Sequence, residues 1–309
     1  MTGVKRNQPG VFLTIGVFDG VHRGHCNLID QMVKAAREAG AATAAVTFDP
    51  HPDAVLNPEL ALPAICTMDE RIALLRERGI DEVEVLRFTP QVAKEAPEEF
   101  VAELLRRYDL RMLWVGPDFA LGRDRTGTRE ILREIGQQRG FEVVSVQPLI
   151  QAGRPVSSSW IREALADGNV TLVAELLGRP FCITGDVVAG MRRGREIGFP
   201  TANVVPPSGR ALPADGVYYV EAQSGGEDRR WPGVVNLGAR PTFAESERLL
   251  ETHLLDFSGD LYGATLAVYF LEKLRGIQRF SGIEELRTQI ARDVEAARHL
   301  ALAAEAGSG

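Results

Sequence analysis

The feature that most restricts the fold of this chain is a change in hydrophobic period part-way along it. Up to about residue 178, short apolar runs rich in β-branched residues alternate with longer stretches whose apolar residues recur at helical spacing. The runs are VFLTIGVF, AATAAVTF, EVEVLRF, RMLWVG and FEVVSVQ, and segments such as NLIDQMVKAAREAG and APEEFVAELLRRY fall between them. Strands separated by helices of that length pair in parallel. Thr67-x-x-Glu70 has the form of a capping box, and Gly40, Gly79 and Gly140 sit where helices should stop. The pattern predicts a doubly wound α/β domain built on a five-stranded parallel sheet.

Beyond LVAELLGRP the period changes. CITGDVVAG, GVYYVEAQ, WPGVVNLG, LLETHLLD and LYGATLAVYFL follow one another at short intervals, divided by Gly, Pro and Ser clusters, with no long helix between them. Closely spaced strands of this kind predict a small antiparallel β-barrel. The last segment opens at Ser281-x-x-Glu284, a second capping-box pattern, and continues as one amphipathic helix. The expected boundary is Gly178-Arg179-Pro180, which gives domains 1–178 and 179–309. A length of 309 residues suits two domains at roughly 100 to 200 residues each.

Charge and cysteine usage narrow the partners. A formal net charge of -7 argues against a surface that neutralises a long polyphosphate backbone, so nucleic acid is not expected. A pocket for a small anion needs only a few local donors and remains open. Cys26, Cys66 and Cys182 are an odd number without CxxC spacing, so neither a disulfide framework nor a zinc site is expected, and a reducing cytoplasm fits best. No stretch approaches the roughly 18 consecutive apolar residues of a spanning helix. Neither export nor a membrane partner is expected.

TIGVFDGVHRGH, residues 14 to 25, leaves a buried strand through Gly16 and an Asp19-Gly20 turn, then sets His22 and His25 around Gly24 at the entry to a helix. Unpaired N–H groups and the positive dipole end favour phosphate there. Gly24 would let a phosphate approach the backbone, and two imidazoles can donate to oxygens that gain charge as pyrophosphate departs. A His-x-x-His pair alone equally serves metal ligation or an ordinary surface. GPDFALGRDRTG (116 to 127) and SSSWIREAL (157 to 165) also follow strand candidates, at the edge where open α/β sheets bind ligands. Ser158 and Ser159 either cap the new helix or bind phosphate, with Arg162 a turn later.

In the second half, GDVVAGMRRGREIGFPTANV (185 to 204) contains no Walker A, because Gly-Lys never occurs in the chain. Gly190, Gly194 and Gly198 with Arg192, Arg193 and Arg195 suit a phosphate-covering loop. The Pro200-Thr201-Ala202-Asn203 segment reads as a turn whose Thr201 hydroxyl and Asn203 carbonyl are hard oxygen donors suited to Mg²⁺. Strand alternation puts Glu251 and His253 on one face, with Leu250, Thr252 and Leu254 on the other. That pattern sets Glu251 beside apolar neighbours. The carboxylate is either a base for an attacking hydroxyl or an edge charge facing solvent.

FDGVHRGH, TFDPHP (47 to 52), GPDFALGRDRTG and SSSWIREAL resemble, in order, the motifs of the nucleotidyltransferase half of bacterial bifunctional riboflavin kinase/FAD synthetases. GFPTAN, GVVNLGARPTF, ETHLLDFSGDLYG and FLEKLRGIQRFSGIEELRTQIARD resemble their riboflavin kinase module, so the likeness spans nearly the whole chain. The resemblance implies a nucleotidyltransferase domain followed by a barrel with a C-terminal helix. It implies phosphorylation of riboflavin to FMN by ATP, then adenylylation of FMN to FAD with release of pyrophosphate, with Mg²⁺ as cofactor and ATP as co-substrate. His22 and His25 would act on ATP phosphates beside Gly16, Phe18, Asp19 and Gly24, while Ser158, Ser159 and Arg162 hold the triphosphate. Asp118 and Phe119 would meet flavin, Gly190, Gly194 and Arg195 would cover phosphates, Thr201 and Asn203 would hold Mg²⁺, and Glu251 would be the general base for the riboflavin 5′-hydroxyl. Two positions depart from the family pattern: Ser159 replaces a usual Thr, and Leu121 replaces a common aromatic. The expected partners are riboflavin, FMN, FAD and ATP, with the chain a monomer or weak homo-oligomer. A flavin-binding protein with only one active half is the alternative.

Overall fold

The structure is a computed structural model that describes residues 10–60, 62–189, 198–225, 229–239 and 248–307. It forms two compact units, Met1–Ser158 and Ser159–Gly309.

The first unit runs β1 (Val11–Ile15), α1 (Arg23–Ala39), β2 (Ala42–Asp49), α2 (Pro52–Leu56), α3 (Met68–Glu77), β3 (Glu82–Arg87), α4 (Pro97–Arg107), β4 (Leu110–Val115), α5 (Arg129–Arg139) and β5 (Glu142–Ser145). A two-residue-a-side hairpin, β6 (Ile150–Gln151) and β7 (Arg154–Pro155), follows. The five main strands pair in parallel in the order β3-β2-β1-β4-β5. All five residues of β1 are buried, with Leu13 and Ile15 in the core on one face and Phe12 in the core on the other. That is the hydrophobic pattern of a central parallel strand covered on both sides. Helix ends follow local chemistry. Thr67 and Glu70 exchange both bonds of the capping box, Gly40 and Gly140 end α1 and α5 in the left-handed conformation, and Gly79, at φ +90°, lies one residue beyond the C-cap of α3.

The sheet order reverses between β1 and β4, and this sets the position of the site. In an open α/β sheet the crevice for a ligand lies at such a switch point, beyond the carboxyl ends of the strands. The Gly16–His25 segment leaves β1 at that place.

In the second unit α6 (Ser158–Ala166), whose first residue ends the first unit, and α7 (Val170–Leu177) precede β8 (Phe181–Val188), β9 (Ala202–Val205), β10 (Gly216–Ser224), β11 (Trp231–Ala239), β12 (Arg248–Leu254) and β13 (Thr265–Arg275). These strands close a barrel in the order β10-β11-β12-β9-β8-β13. Phe181, Val204, Tyr218, Val235, Leu250 and Phe270, one from each strand, are essentially inaccessible and fill it. The C-terminal helix α8 (Ile283–Gly307) covers one outer wall, where Ala297 packs with Val217, Tyr219, Val234 and Leu255. Asp293 anchors it by accepting Nε and Nη2 of Arg275 at 2.8–3.1 Å.

Two local expectations change. Asn203, expected in a turn, lies on β9 because Ala202 and Val204 point into the barrel. Ser281 pairs through its N–H and hydroxyl with Glu285 rather than with Glu284, and α8 starts two residues later. The division into compact units follows Ser158, and the change of period at 178–180 lies within the second of them, between α7 and β8. Among the described residues no helix is long and apolar enough to cross a membrane.

Candidate active sites

In the first unit, His22 is the N-cap of α1, and its Nδ1 accepts the His25 N–H at 3.3 Å. An accepting Nδ1 places the ring proton on Nε2, which is then a donor. The two imidazoles stack, with ring centres 3.7 Å apart and planes 19° apart, and the Phe18 ring meets His25 edge-on at 5.2 Å. Burial, then the neighbouring His22 and Arg71, hold the His25 pKa well below the ordinary histidine value. His25 is therefore neutral at pH 7. Its Nδ1 is buried without a hydrogen-bond partner among the described residues. The first turn of α1 carries no acidic side chain, so its positive end stays uncompensated. Neutral donors around an uncompensated helix start suit a phosphate that gains charge in a reaction.

The turn feeding these histidines is strained. Phe18 and Val21 have φ of 52° and 39°, conformations that cost about 1–3 kcal/mol each in non-glycine residues. Side chains hold it: Thr47 Oγ1 donates to the Val17 carbonyl at 2.9 Å, and Ser158 Oγ donates to the Asp19 carbonyl at 2.9 Å. The Asp19 carboxylate, expected at phosphate, is 1% exposed and faces the protein instead. It accepts Ile65 N–H at 3.0 and 3.1 Å and Cys66 N–H at 3.2 Å, and lies 3.7 Å from Arg71. Gly24 is also explained differently. A Cβ there would lie 2.9 Å from the Val156 carbonyl oxygen and 3.0 Å from His22 Cε1, so the missing side chain makes room for protein. Gly16 similarly leaves space for the Phe18 ring, 3.0 Å from where its Cβ would be.

Ser159 and Arg162 continue along α6 in the second unit. Asp118 and Phe119 lie on the loop after β4, where Phe119 packs half-buried against the core and the Asp118 carbonyl accepts from Arg125 at 2.8 Å. Leu121 is a core residue.

The second constellation is a row across three barrel strands. Glu251 on β12 pairs with Asn203 on β9 and with Asn236 on β11, so the three side chains share the outer face. Asn236 Nδ2 donates to Glu251 Oε2 at 3.4 Å. Leu250, Thr252 and Leu254 are buried on the opposite face, as alternation predicts, but the lateral neighbours of Glu251 are amides rather than apolar groups. Strand register, which the linear pattern does not contain, decides this. His253, on the same face, donates through Nδ1 to the Pro200 carbonyl at 2.8 Å and meets Phe199 edge-on, which fixes the approach to Thr201. Gly190, Gly194 and Arg195 lie outside the described residues.

Sequence reasoning missed Arg71, Cys66 and Thr47 in the first site and Asn236 in the second. Each acts through a contact distant in sequence, such as the 46-residue separation between Gly20 and Cys66; Thr47 and Asn236 stand inside TFDPHP and GVVNLGARPTF, but the motifs by themselves do not say what these two side chains touch.

Residues 4–160 match the family model described as FAD synthetase, and residues 177–301 match the one described as riboflavin kinase. The Escherichia coli K12 bifunctional riboflavin kinase/FMN adenylyltransferase is 41% identical over 94% of this chain and 93% of its own. The protein of the same name from Pseudomonas fluorescens is 42% identical over 96% and 95%, and that from Bacillus subtilis 34% over 95% and 93%. Among solved structures, a Streptococcus pneumoniae chain described as a macrolide-efflux protein superposes with a TM-score of 0.87 at 33% identity, covering 96% of this chain and 95% of that one. With both segments present in order and full-length relatives matched almost end to end, this chain belongs to the family of bifunctional riboflavin kinase/FMN adenylyltransferases.

Proposed function

We propose that this chain makes FAD from riboflavin in two ATP-dependent steps, each carried by one of the two constellations. In the barrel, the riboflavin 5′-hydroxyl attacks the γ-phosphorus of ATP, Glu251 takes the hydroxyl proton, and ADP leaves. In the α/β unit, a phosphate oxygen of FMN attacks the α-phosphorus of a second ATP and pyrophosphate leaves. The nucleophile is already ionised and needs no base. His22 and His25 donate to the phosphate oxygens that gain charge, and the α1 N-terminus adds its dipole. Ser158, Ser159 and Arg162 hold the triphosphate, Asp118 and Phe119 meet the flavin, and Gly190, Gly194 and Arg195 cover the kinase phosphates. The kinase segment is 179–309.

The donor set near Glu251 fits Mg²⁺. The Thr201 hydroxyl and Asn203 amide oxygen are hard, neutral oxygen donors of the kind that Mg²⁺ takes beside phosphates and water. When bound, Mg²⁺ supplies charge neutralisation on the phosphates. An odd number of cysteines without CxxC spacing supports a cytoplasmic setting, and the acidic net charge supports small-molecule partners rather than nucleic acid or a membrane surface. We take the working form as a monomer or weak homo-oligomer.

The observation that carries this reading is the joint presence of the stacked histidine pair at the sheet's switch point and the Asn203–Glu251–Asn236 row on the barrel. Incubation with riboflavin, ATP and Mg²⁺, with chromatographic separation of flavins, should show FMN followed by FAD. Stoichiometric flavin binding without ATP turnover would refute it, and FMN without FAD would leave one half inactive.

A further inference from the structure

The turn between β1 and α1 is held from outside by side chains that no catalytic role explains, and they converge on one buried cation. Arg71, from the first turn of α3, is 5% exposed. Its Nη1 donates to Thr47 Oγ1 at 3.3 Å and lies 3.4 Å from the Phe48 carbonyl, while Nη2 is 3.7 Å from Asp19 Oδ1. We infer that Arg71 is a positioning residue for adenylyl transfer, acting through Thr47 and Asp19 to hold the Val17–Gly20 turn in the conformation that stacks His22 on His25.

The hydrogen-bond directions support this. The Thr47 hydroxyl accepts from Arg71, which leaves its proton to donate to the Val17 carbonyl. Asp19, facing the guanidinium, accepts the backbone N–H groups of Ile65 and Cys66, and Cys66 Sγ in turn accepts the Gly20 N–H at 3.0 Å. One cation thus fixes the turn at Val17, Asp19 and, through Cys66, at Gly20. Between these anchors sits Phe18 at positive φ, whose ring abuts His25. A turn strained in this way relaxes when its anchors go, and the imidazoles move with it. The guanidinium serves both anchors because its planar fork presents separate donors to two acceptors.

The inference rests on the adenylyltransferase reading of the first unit. The test measures FAD formation by full-length Arg71→Met with ATP and FMN varied separately, and riboflavin phosphorylation by the same preparation. The kcat for FAD formation should fall by up to about 10²-fold, the scale of a small misplacement at a reacting centre, while both KM values and the kinase rate hold. Arg71→Lys, which keeps the charge but lacks the planar fork that reaches Thr47 and Asp19 together, should recover only part of the lost kcat. A parent-level kcat in Arg71→Met overturns the inference, as does a loss that is expressed wholly in KM. Should the lone buried Asp19 carboxylate stop Arg71→Met from folding, the double variant Arg71→Met/Asp19→Asn carries the same test with the same two outcomes. His25→Ala, assayed beside it, separates the two levels of claim. FAD formation at the parent rate in His25→Ala removes the adenylyltransferase reading itself, whereas loss there with none in Arg71→Met removes only the role of Arg71.

Discussion

Gly24→Ala isolates the effect of space at the first site. The new Cβ would stand 2.9 Å from the Val156 carbonyl oxygen and 3.0 Å from His22 Cε1, where ordinary contacts are 3.4–4 Å. One neighbour is backbone, so roughly half an ångström of movement falls on the His22 ring or on the start of α1. Overpacking of this kind costs about 1–3 kcal/mol. An opposite term exists: Gly24 lies in the first turn of α1, and alanine is the better helix former by about 1 kcal/mol. The net loss of stability is therefore about 0–2 kcal/mol, too little to unfold the unit. Activity is the sharper readout, because a misplacement of about 1 Å costs about 10²-fold and half that displacement about 10-fold. Conversion of supplied FMN to FAD should drop by about that factor while riboflavin phosphorylation, in the other unit, is unchanged. Parent-level FAD formation by a folded Gly24→Ala would refute the reasoning, and would show that the glycine is required neither for packing against His22 nor for ligand approach.

Three further expectations follow from the same geometry. Glu251→Gln keeps shape but cannot take a proton, so riboflavin phosphorylation should fall by about 10²- to 10⁴-fold while added FMN is still adenylylated; near-normal FMN production at neutral pH removes Glu251 as the base. Burial holds His25 below the usual value of 6.5, so just below that pH the unfolded chain binds more protons than the folded one. Its contribution to stability is thus complete above about pH 6.5 and is lost as pH falls from there through the depressed folded value. Thermal unfolding should show a smaller acid loss in His25→Gln than in the parent. Finally, α7 buries Val170, Val173, Leu176 and Leu177, each worth about 1.5–3 kcal/mol when fully buried, so a 159–309 fragment should resist urea better than a 179–309 fragment. Equal midpoints would mean that α7 does not support the barrel.

Local pattern accounts for much of this molecule. The alternation of β-branched runs with amphipathic segments appears as five parallel strands with intervening helices, because a covered central strand must be apolar on both faces and a helix only on one. The DGVHRGH turn is legible for the same reason: capping, helix start and paired imidazoles are all set by neighbours a few residues apart. The face of Glu251 was legible too, since alternation along β12 needs nothing but the sequence.

What depends on distant residues was not legible. Asp19 looks like a phosphate-side carboxylate within its motif, and only the fold turns it toward Ile65, Cys66 and Arg71, which lie 46 to 52 positions away. The amides flanking Glu251 come from strand register, and a register shift of one residue would have replaced both. Helices α6 and α7 look like the end of the α/β pattern, yet contacts assign them to the second unit, where the Leu165 carbonyl accepts Ala214 N–H at 2.8 Å. By itself, then, the sequence determined most of the elements, their order and the chemical groups at each site, but not β9, which reads as a turn until its neighbours pair with it. Tertiary structure alone decided which groups face a ligand and which hold the others still, because burial and hydrogen-bond partnership are properties of neighbours in space.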